Sequence, residues 1–313
     1  MTHSNYRFLF GPVPSRRFGR SLGIDLTPQK TCCFDCIFCQ LGRTRAKTIA
    51  RDEFVPTEAV LSEIDGWLRS GGEADYMTLS GSGEPTLHSR FGDVLDFIRN
   101  NSAIPSVLLT NGALLHLPEV RSAAGQADIV KVSLSAWDQA SFDWINRPHP
   151  QLTFERLIKG QKTFRDQFDG QVWMEVFLVR GMNSSPAQVA RIAALAQEIA
   201  PDRIHLNTAV RPPAEDFVTA VPREQLMALT HLFQPTAEII AEYHAAQSKP
   251  MRANAAAILA MLTRRPCTTQ EIAVGFGLHF NEVSKYLGSL MKEKKIRAQR
   301  NKDRVYYTAV IDS

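Results

Sequence analysis

The amino-acid sequence predicts an α/β protein with a parallel sheet, followed by a smaller C-terminal domain. Short apolar runs alternate with amphipathic segments through about the first 210 residues, as in repeated strand–helix units. Residues 251–313 carry 11 Lys and Arg against 5 Asp and Glu, a net charge of +6, whereas the preceding residues carry −2. This change predicts a domain boundary. We assign residues 1–240 to the α/β domain, 241–251 to a linker and 252–313 to the second domain.

Each predicted strand is a short apolar run bounded by polar or turn-forming residues. A loop at residues 11–20, rich in Gly and Pro and carrying three arginines, precedes the first strand. Helical periodicity between strands places apolar side chains on one face, as at residues 57–68, and a last helical stretch runs from residue 223 to about 243. The predicted strands are residues 22–26, 76–79, 107–109, 129–134, 172–179 and 203–207.

The last 60 residues or so predict three helices followed by a β-hairpin. The first helix spans residues 255–262, and Thr268 begins the second, which ends at Gly277. Asn281 is predicted to cap the third helix, and residues 296–308 to form the hairpin. This order resembles a winged-helix domain. The basic residues of its third helix and hairpin favour contact with nucleic acid, and docking on protein, a lid or a dimer contact are the alternatives.

Four of the five cysteines fall within eight residues, and the fifth, Cys267, stands alone. Disulfide pairing is disfavoured, because we expect a reducing compartment. Zinc usually takes four Cys or His ligands, commonly as two pairs, and no second pair follows here. Cys32, Cys36 and Cys39 are spaced CxxxCxxC, and three thiolates on one short loop can hold three irons of a cubane cluster whose fourth iron stays open. We interpret Cys33 as a bystander.

This CxxxCxxC spacing, with Phe38 before the last cysteine, resembles the motif of the radical S-adenosylmethionine (SAM) superfamily. The resemblance covers about residues 10–215. It implies a partial six-stranded (βα)6 barrel of radical SAM type, to which the C-terminal winged-helix domain is appended. It also implies a 4Fe-4S cluster bound by Cys32, Cys36 and Cys39, with SAM as the second cofactor at the open iron.

A second motif, Ser82-Gly83-Glu84-Pro85, directly follows the predicted strand at residues 76–79. Small residues let the backbone approach a ligand closely, and exposed carbonyl groups accept hydrogen bonds from an ammonium group. In the radical SAM superfamily the similar GGE-type turn holds the methionine amino group, and here a serine replaces its first glycine. The alternative is a plain turn between a strand and a helix.

Polar residues near strand ends are further candidates, because a βα fold keeps its active site at the carboxyl ends of its strands. By resemblance, Ser133 or Ser135 contacts the ribose hydroxyls of SAM. Asn111 and Asn207, at the ends of the third and sixth strands, lie within reach of the same site. Arg147 is a candidate for the SAM carboxylate or for substrate, since guanidinium binds carboxylate bidentately. For each of these residues, a structural or surface role is the alternative.

Glu175 lies in the middle of an apolar strand, where a carboxylate is costly unless it is paired or used. We interpret it as a group that binds adenosine or substrate, and a structural salt bridge is the alternative. His205 shares a strand face with Asn207, and we interpret it as structural.

The resemblance implies an enzyme that cleaves SAM reductively to a 5′-deoxyadenosyl radical, which abstracts hydrogen from an unidentified substrate. It also implies a one-electron donor of the flavodoxin or ferredoxin type. The stretch from residues 11–17 through residues 32–42 resembles a group of iron–sulfur oxidoreductases related to the wybutosine-synthesising tRNA enzymes. A tRNA is therefore one substrate class, beside a peptide, a glycyl-radical partner or a small metabolite. The rival functions are a winged-helix regulator that uses the cluster as a redox sensor, and a zinc-binding structural protein.

The sequence shows no sign of membrane association. No apolar run reaches the ~18 residues that a membrane-spanning helix needs. The N-terminus lacks the basic and apolar regions of a secretory signal. We therefore expect a cytoplasmic protein without membrane contact.

Overall fold

The computed structural model describes residues 6–15, 17–240, 254–301 and 304–310. The predicted linker, residues 241–251, lies outside the described residues. The structure comprises an eight-stranded sheet with its helices and a C-terminal unit, which we define as the described residues from 254 to 310. Within the described chain no helix combines the length and the apolar character needed to cross a bilayer.

The strands of the main sheet lie side by side in chain order: β1 (Leu9–Ser15), β2 (Gly19–Ile24), β3 (Tyr76–Leu79), β4 (Ser106–Leu109), β5 (Ile129–Ser133), β6 (Gln171–Leu178), β7 (Arg203–Thr208) and β8 (Glu238–Ile239). β1 is antiparallel to β2, and all strands from β2 to β8 are parallel to their neighbours. β2 to β7 correspond to the six predicted strands. The prediction of an α/β protein with a mostly parallel sheet is thereby confirmed, and its closure into a six-stranded barrel stays a prediction.

The structure differs from the prediction at both edges of this sheet. β1 forms where the sequence predicts a loop at residues 11–20, because an edge strand tolerates prolines, which lack an amide hydrogen. Its pairing with β2 also shifts register once. At the other edge, the helix predicted to run from residue 223 to 243 ends at Thr230, and the chain forms β8 instead. Pro235 disfavours helical backbone at the residue before it.

Parallel neighbours need long crossover connections, and helices supply most of them. Each helix buries one apolar face against the core: in the first of them Val60, Ile64 and Trp67 are buried at helical spacing. Two short helices, the third and fourth, were not among the predicted elements. The described helices of this part are α1 (Thr57–Arg69), α2 (Phe91–Asn101), α3 (Pro118–Ala124), α4 (Gln139–Ile145), α5 (Phe154–Gln167), α6 (Pro186–Ile199) and α7 (Arg223–Thr230).

The C-terminal unit consists of α8 (Ala255–Arg264), α9 (Thr269–Phe276), α10 (Phe280–Lys292), β9 (Ile296–Asn301) and β10 (Arg304–Ala309). Thr268 caps α9 reciprocally with Glu271, as its sequence predicts. The third helix begins earlier than predicted, because His279 and not Asn281 is its N-cap. β9 and β10 form an antiparallel hairpin, and its tip, residues 302–303, lies outside the described residues.

The C-terminal unit packs against β1 and against the loop that follows β7. Phe10 and Val13 of β1 are buried within the apolar core of the C-terminal unit, beside residues such as Ile258 and Met261. Polar contacts add to this apolar packing, and the hydroxyl of Tyr306 donates a hydrogen bond of 2.6 Å to the carbonyl of Val210. The unit therefore shares a core with the sheet edge.

Candidate active site

One cavity of about 370 Å³ lies on the inner face of the sheet. Side chains from all strands between β1 and β7 contribute to its lining, so the sheet curves around it. Its remaining walls come from the loop after β2, the turn after β3 and the C-terminal unit. The cavity is therefore placed where both predicted cofactor motifs meet.

The three motif cysteines lie on the loop between β2 and α1, and each is half-buried. Cys39 lines the cavity, and the ammonium group of Lys30 lies 3.1 Å from its sulfur. The side-chain amide of Asn146 donates to the Cys36 sulfur at 3.4 Å. Burial raises the pKa of the Cys36 thiol, and the nearby Cys39 and Cys32 raise it further. The three sulfurs therefore share one electrostatic environment, in which a positively charged metal group would stabilise the thiolates.

The donor set fits an iron–sulfur cubane better than a zinc ion. In the described part of the chain no three Cys, His, Asp or Glu side chains converge on a point that could hold one metal ion. Zinc needs its ligands within about 2.3 Å of a single centre. In a cubane each thiolate binds a different iron, so the sulfurs stay apart. Three thiols on one short loop beside a cavity are a donor set of this chemistry.

The turn after β3 packs directly on the cysteine loop. The amide of Lys30 donates to the Ser82 carbonyl at 2.6 Å, and the amide of Glu84 donates to the Thr31 carbonyl at 2.9 Å. A Cβ atom at Gly83 would overlap the backbone oxygen of Thr31, so only glycine permits this approach. The Ser-Gly-Glu turn and the cysteine loop are therefore held in a fixed position relative to each other. A cofactor that contacts both of them requires such an arrangement.

Asp25 joins this turn to the C-terminal unit. Its carboxylate accepts hydrogen bonds from the Ser82 amide at 3.0 Å and from the Ser82 hydroxyl at 2.6 Å. The same carboxylate accepts from Nε of Arg264, at the end of α8, at 2.9 Å. The Arg264 guanidinium also lies over the ring of Phe10, 4.5 Å from its centroid. Gly81 has a φ of +141° and leaves room for Asp25, since a Cβ there would overlap the carboxylate.

The carboxylate of Glu84 is used within the fold. It accepts hydrogen bonds from the hydroxyl of Thr86, from the hydroxyl of Thr110 at 2.6 Å and from the amide of Asn111 at 2.8 Å. Burial raises the pKa of Glu84, and these hydrogen bonds oppose that rise. Its side chain thus fixes the turn to the end of β4, and the turn presents its backbone to the cavity.

A buried charge cluster crosses the floor of the cavity. Glu175 of β6 forms ion pairs with Arg17 and Lys131 and accepts a hydrogen bond from Asn207 at 3.2 Å. Burial raises the pKa of Glu175, but the charges of Arg17 and Lys131 outweigh it and hold that pKa well below its ordinary value. Burial, with the same two cations nearby, lowers the pKa of His205 to about 3, so this imidazole is neutral at physiological pH.

The structure brings five predicted site residues to the cavity wall: Phe38, Cys39, Gly83, Glu175 and Asn207. Phe38 stacks on Phe177 with ring centroids 4.1 Å apart and forms an aromatic wall beside the cysteine loop. The predicted residues Cys32 and Cys36 adjoin this wall on the same loop. Asn111 lies next to the cysteines, and its side-chain amide is 3.2 Å from the Cys33 sulfur.

Three other predicted contacts lie outside the cavity lining. The Ser135 hydroxyl accepts a hydrogen bond of 3.1 Å from the Phe177 amide, and Ser133 accepts one at its carbonyl from Gln161. The Arg147 guanidinium forms an ion pair with Glu215. The side chains of Ser135 and Arg147 are thus occupied within the fold, and the contact of all three residues with SAM stays a prediction.

The sequence analysis missed the cationic character of the cavity. Five cationic side chains line it, against one carboxylate, that of Glu175, among the described lining residues. Two features of the sequence pointed to this positive charge. One is the group of arginines in residues 11–20, and the other is Lys131, which shares a face of its predicted strand with Ser133. No pattern in the sequence links the end of α8 to the sheet. The cationic residues are Arg17, Lys131, Arg211, Arg264 and Arg265.

Comparisons with known proteins bear on this arrangement. A family model described as the radical SAM superfamily matches residues 26–193, and a model described as FaeA-like protein matches residues 254–302. A UPF0026 protein of Helicobacter pylori is 30% identical over 314 residues, covering 99% of this chain and 100% of that protein. A protein of Brachyspira hyodysenteriae named GTPase Obg is 32% identical over 295 residues, covering 93% of this chain. The chain spans only 43% of that protein's length.

Solved structures share the fold of the α/β part. Streptococcus suis SuiB bound to S-adenosylmethionine matches with a TM-score of 0.53 and 16% sequence identity. The match covers 69% of this chain and 49% of that chain. At this identity the likeness concerns the fold alone.

Proposed function

The chain belongs to the radical SAM superfamily and to the UPF0026 proteins, and on this premise we propose that it binds a 4Fe-4S cluster through Cys32, Cys36 and Cys39 and cleaves SAM reductively. When bound, the cluster and SAM supply a 5′-deoxyadenosyl radical that abstracts hydrogen from a substrate. The observation that supports this most strongly is the contact between the cysteine loop and the Ser-Gly-Glu turn, directly beside a cavity.

The residues of this chain have distinct roles in the proposed reaction. Backbone carbonyl groups of the turn at Ser82 and Gly83 would accept hydrogen bonds from the amino group of SAM. The stacked rings of Phe38 and Phe177 form an apolar wall that excludes water near the cysteines. The C-terminal unit closes the opposite side of the cavity through Arg264 and thereby limits access of solvent.

An external donor of the flavodoxin or ferredoxin type, present in the cytoplasm, delivers the electron. The cysteine loop is its point of approach, because Cys32, Cys36 and Cys39 are only half-buried and Gln40 beside them is exposed. The substrate that receives the radical is a molecule that fits the cavity or extends into it.

The proposed function is tested on anaerobically reconstituted protein supplied with dithionite and SAM. We expect about four iron atoms per chain, a reduced-cluster EPR signal that changes when SAM is added, and 5′-deoxyadenosine measured by chromatography. An intact cluster whose EPR signal ignores SAM would instead support a redox-sensing regulator. Zinc in place of iron, with a colourless protein, would support a structural metal site.

We further propose that the C-terminal unit is a winged-helix domain and that a tRNA is the substrate class, in line with the resemblance to wybutosine-related enzymes. Its three helices and hairpin occur in the order of that domain. Lys285 and Lys292 are exposed on α10, the helix that would contact phosphates. The rival role, docking on protein, is supported by the packing of the unit against β1.

Replacement of both Lys285 and Lys292 by Gln is expected to weaken tRNA binding and to lower the slope of log K against log salt by about 2, because each lysine neutralises one phosphate. The slope is measured by filter binding of the cluster-loaded protein at several salt concentrations. Arg69→Gln is the control, because Arg69 is an exposed arginine on α1. An unchanged slope in the double variant would assign the C-terminal unit to protein docking.

A further inference from the structure

A second groove, of about 350 Å³, lies beside the cavity. Three separate segments form it: residues 40–42 of the cysteine loop, Pro212 and Pro213 after β7, and the C-terminal unit through α8 and the hairpin. The groove is therefore complete only because the C-terminal unit is docked on the sheet.

The lining of this groove carries positive charge. Arg45, Arg265 and Arg297 contribute to it, and none of its described lining residues is Asp or Glu. Arg45 and Arg297 are exposed to solvent, and Arg265 lies deeper. A concave surface lined by one sign of charge concentrates oppositely charged ligands. The groove therefore favours an anion, and its apolar residues, such as Leu41 and Pro266, offer contact to the body of a ligand.

The groove and the cavity are continuous. Gln40 and Arg265 line both of them, and Gln40 directly follows Cys39 of the cysteine loop. A molecule held in the groove thus lies next to the loop proposed to hold the cluster, and part of it can extend past Gln40 into the cavity. The cavity lining carries five cationic side chains and one carboxylate, that of Glu175, which is paired with Arg17 and Lys131, so the path favours an anionic molecule.

We propose that this groove is the substrate-binding site of the reaction and that it binds a phosphate group of the substrate. The proposal rests on the proposed function. Arginine presents a planar fork that matches phosphate bidentately. The described lining of the groove has three arginines and no Asp or Glu. This charge suits a ligand phosphate, which carries about two negative charges, better than a ligand carboxylate, which carries one. Arg265 holds the phosphate at the junction, and Arg45 and Arg297 hold it from the two outer walls.

Binding of radioactive inorganic phosphate to the cluster-loaded full chain tests the proposal, by anaerobic equilibrium dialysis at constant ionic strength. We expect one saturable site per chain, and Arg45→Gln and Arg297→Gln are each expected to weaken it about tenfold, as for removal of one charge-assisted hydrogen bond. Thr308→Glu, which places a negative charge in the groove, is expected to abolish binding. Arg300→Gln is the matched control, because Arg300 lies on the same strand but does not line the groove.

Iron content and melting temperature show whether each variant has folded. Displacement of the bound phosphate by 5′-AMP would assign it to a small phosphorylated molecule, and displacement by tRNA alone would assign it to a nucleic acid. The proposal is overturned if binding is not saturable, if Arg300→Gln weakens it equally, or if only an acidic flavodoxin occupies the groove. Phosphate binding is measured independently of SAM cleavage. A protein that binds phosphate without cleaving SAM would therefore refute the proposed function, and with it the role of the groove in that reaction, but would retain the phosphate site itself.

Discussion

Replacement of Cys32, Cys36 or Cys39 by Ala is expected to reduce both bound iron and 5′-deoxyadenosine formation to background. Each thiolate holds one iron of the proposed cluster, so each replacement leaves one iron without its protein ligand. Iron is measured on the anaerobically reconstituted variant, and 5′-deoxyadenosine by chromatography after addition of dithionite and SAM. All three variants should behave alike, because the three positions are equivalent as ligands.

The matched control is Cys33→Ala, a cysteine of the same loop. Its sulfur is fully buried and contacts the Asn111 side chain, so it packs against the fold beside the site. We expect it to retain iron and SAM cleavage. Retained cleavage in any of the three ligand variants would refute the ligand assignment. Loss in Cys33→Ala alone would show that the cluster uses this sulfur in place of Cys32.

The parallel strands and the cysteine loop were predictable because both depend on neighbours in the chain. Each strand from β2 to β7 is a short apolar run that fits a buried parallel sheet, whatever its partner. Three thiols within eight residues necessarily lie on one loop. The glycines of the following turn are visible in the same way, and the close packing of Gly83 on Thr31 and of Gly81 on Asp25 follows from the lack of a side chain.

The roles of individual polar side chains were less predictable, because their partners are distant in sequence. The Ser135 hydroxyl accepts from the Phe177 amide, 42 residues away, and Arg147 pairs with Glu215, 68 residues away. Ser135 lies near the end of β5, as predicted, and Arg147 follows α4, yet the side chains of both serve the fold. Strand periodicity fixes the face of a residue but leaves its hydrogen-bond partner undetermined.

The docking of the C-terminal unit was outside the reach of sequence reasoning. Arg264 pairs with Asp25 across 239 residues, and Arg211 pairs with Glu271 at 2.6 Å across 60. Val13 stands in a segment that the sequence predicts as a loop, so its burial in the core of the C-terminal unit leaves no periodic signal. The consequence for function is large, since the second groove and one wall of the cavity exist only in the docked arrangement.

Replacement of Glu175 by Ala is expected to destabilise the protein by about 3–5 kcal/mol, the cost of leaving buried cations without their counter-charge. Glu175 is the carboxylate between Arg17 and Lys131, whose side chains are only 13% and 7% exposed. The change also removes an acceptor from Asn207. The free energy of unfolding is measured by urea denaturation of the same anaerobic preparation for wild type and variant.

The pKa of Glu175 gives this prediction a pH dependence. Burial raises that pKa, but Arg17 and Lys131 hold it below the ordinary value, so the folded state favours the ionised form. A carboxyl group whose pKa is lower in the folded than in the unfolded state stabilises the folded protein. This contribution is fully present above the unfolded pKa, near 4.3, and is lost as the pH falls through the folded pKa. The difference between wild type and Glu175→Ala should therefore be constant above about pH 5 and shrink progressively as the pH falls below that value.

The control is Glu198→Ala, which breaks the exposed ion pair between Lys162 and Glu198 on the surface. Such exposed pairs contribute about 0–1 kcal/mol to the free energy of unfolding, because water screens both charges. If Glu175→Ala costs no more than this control, the cations on the cavity floor must be stabilised without the carboxylate. Glu175→Gln separates charge from shape: it keeps an acceptor for Asn207 but leaves Arg17 and Lys131 uncompensated, so it should retain most of the destabilisation of Glu175→Ala.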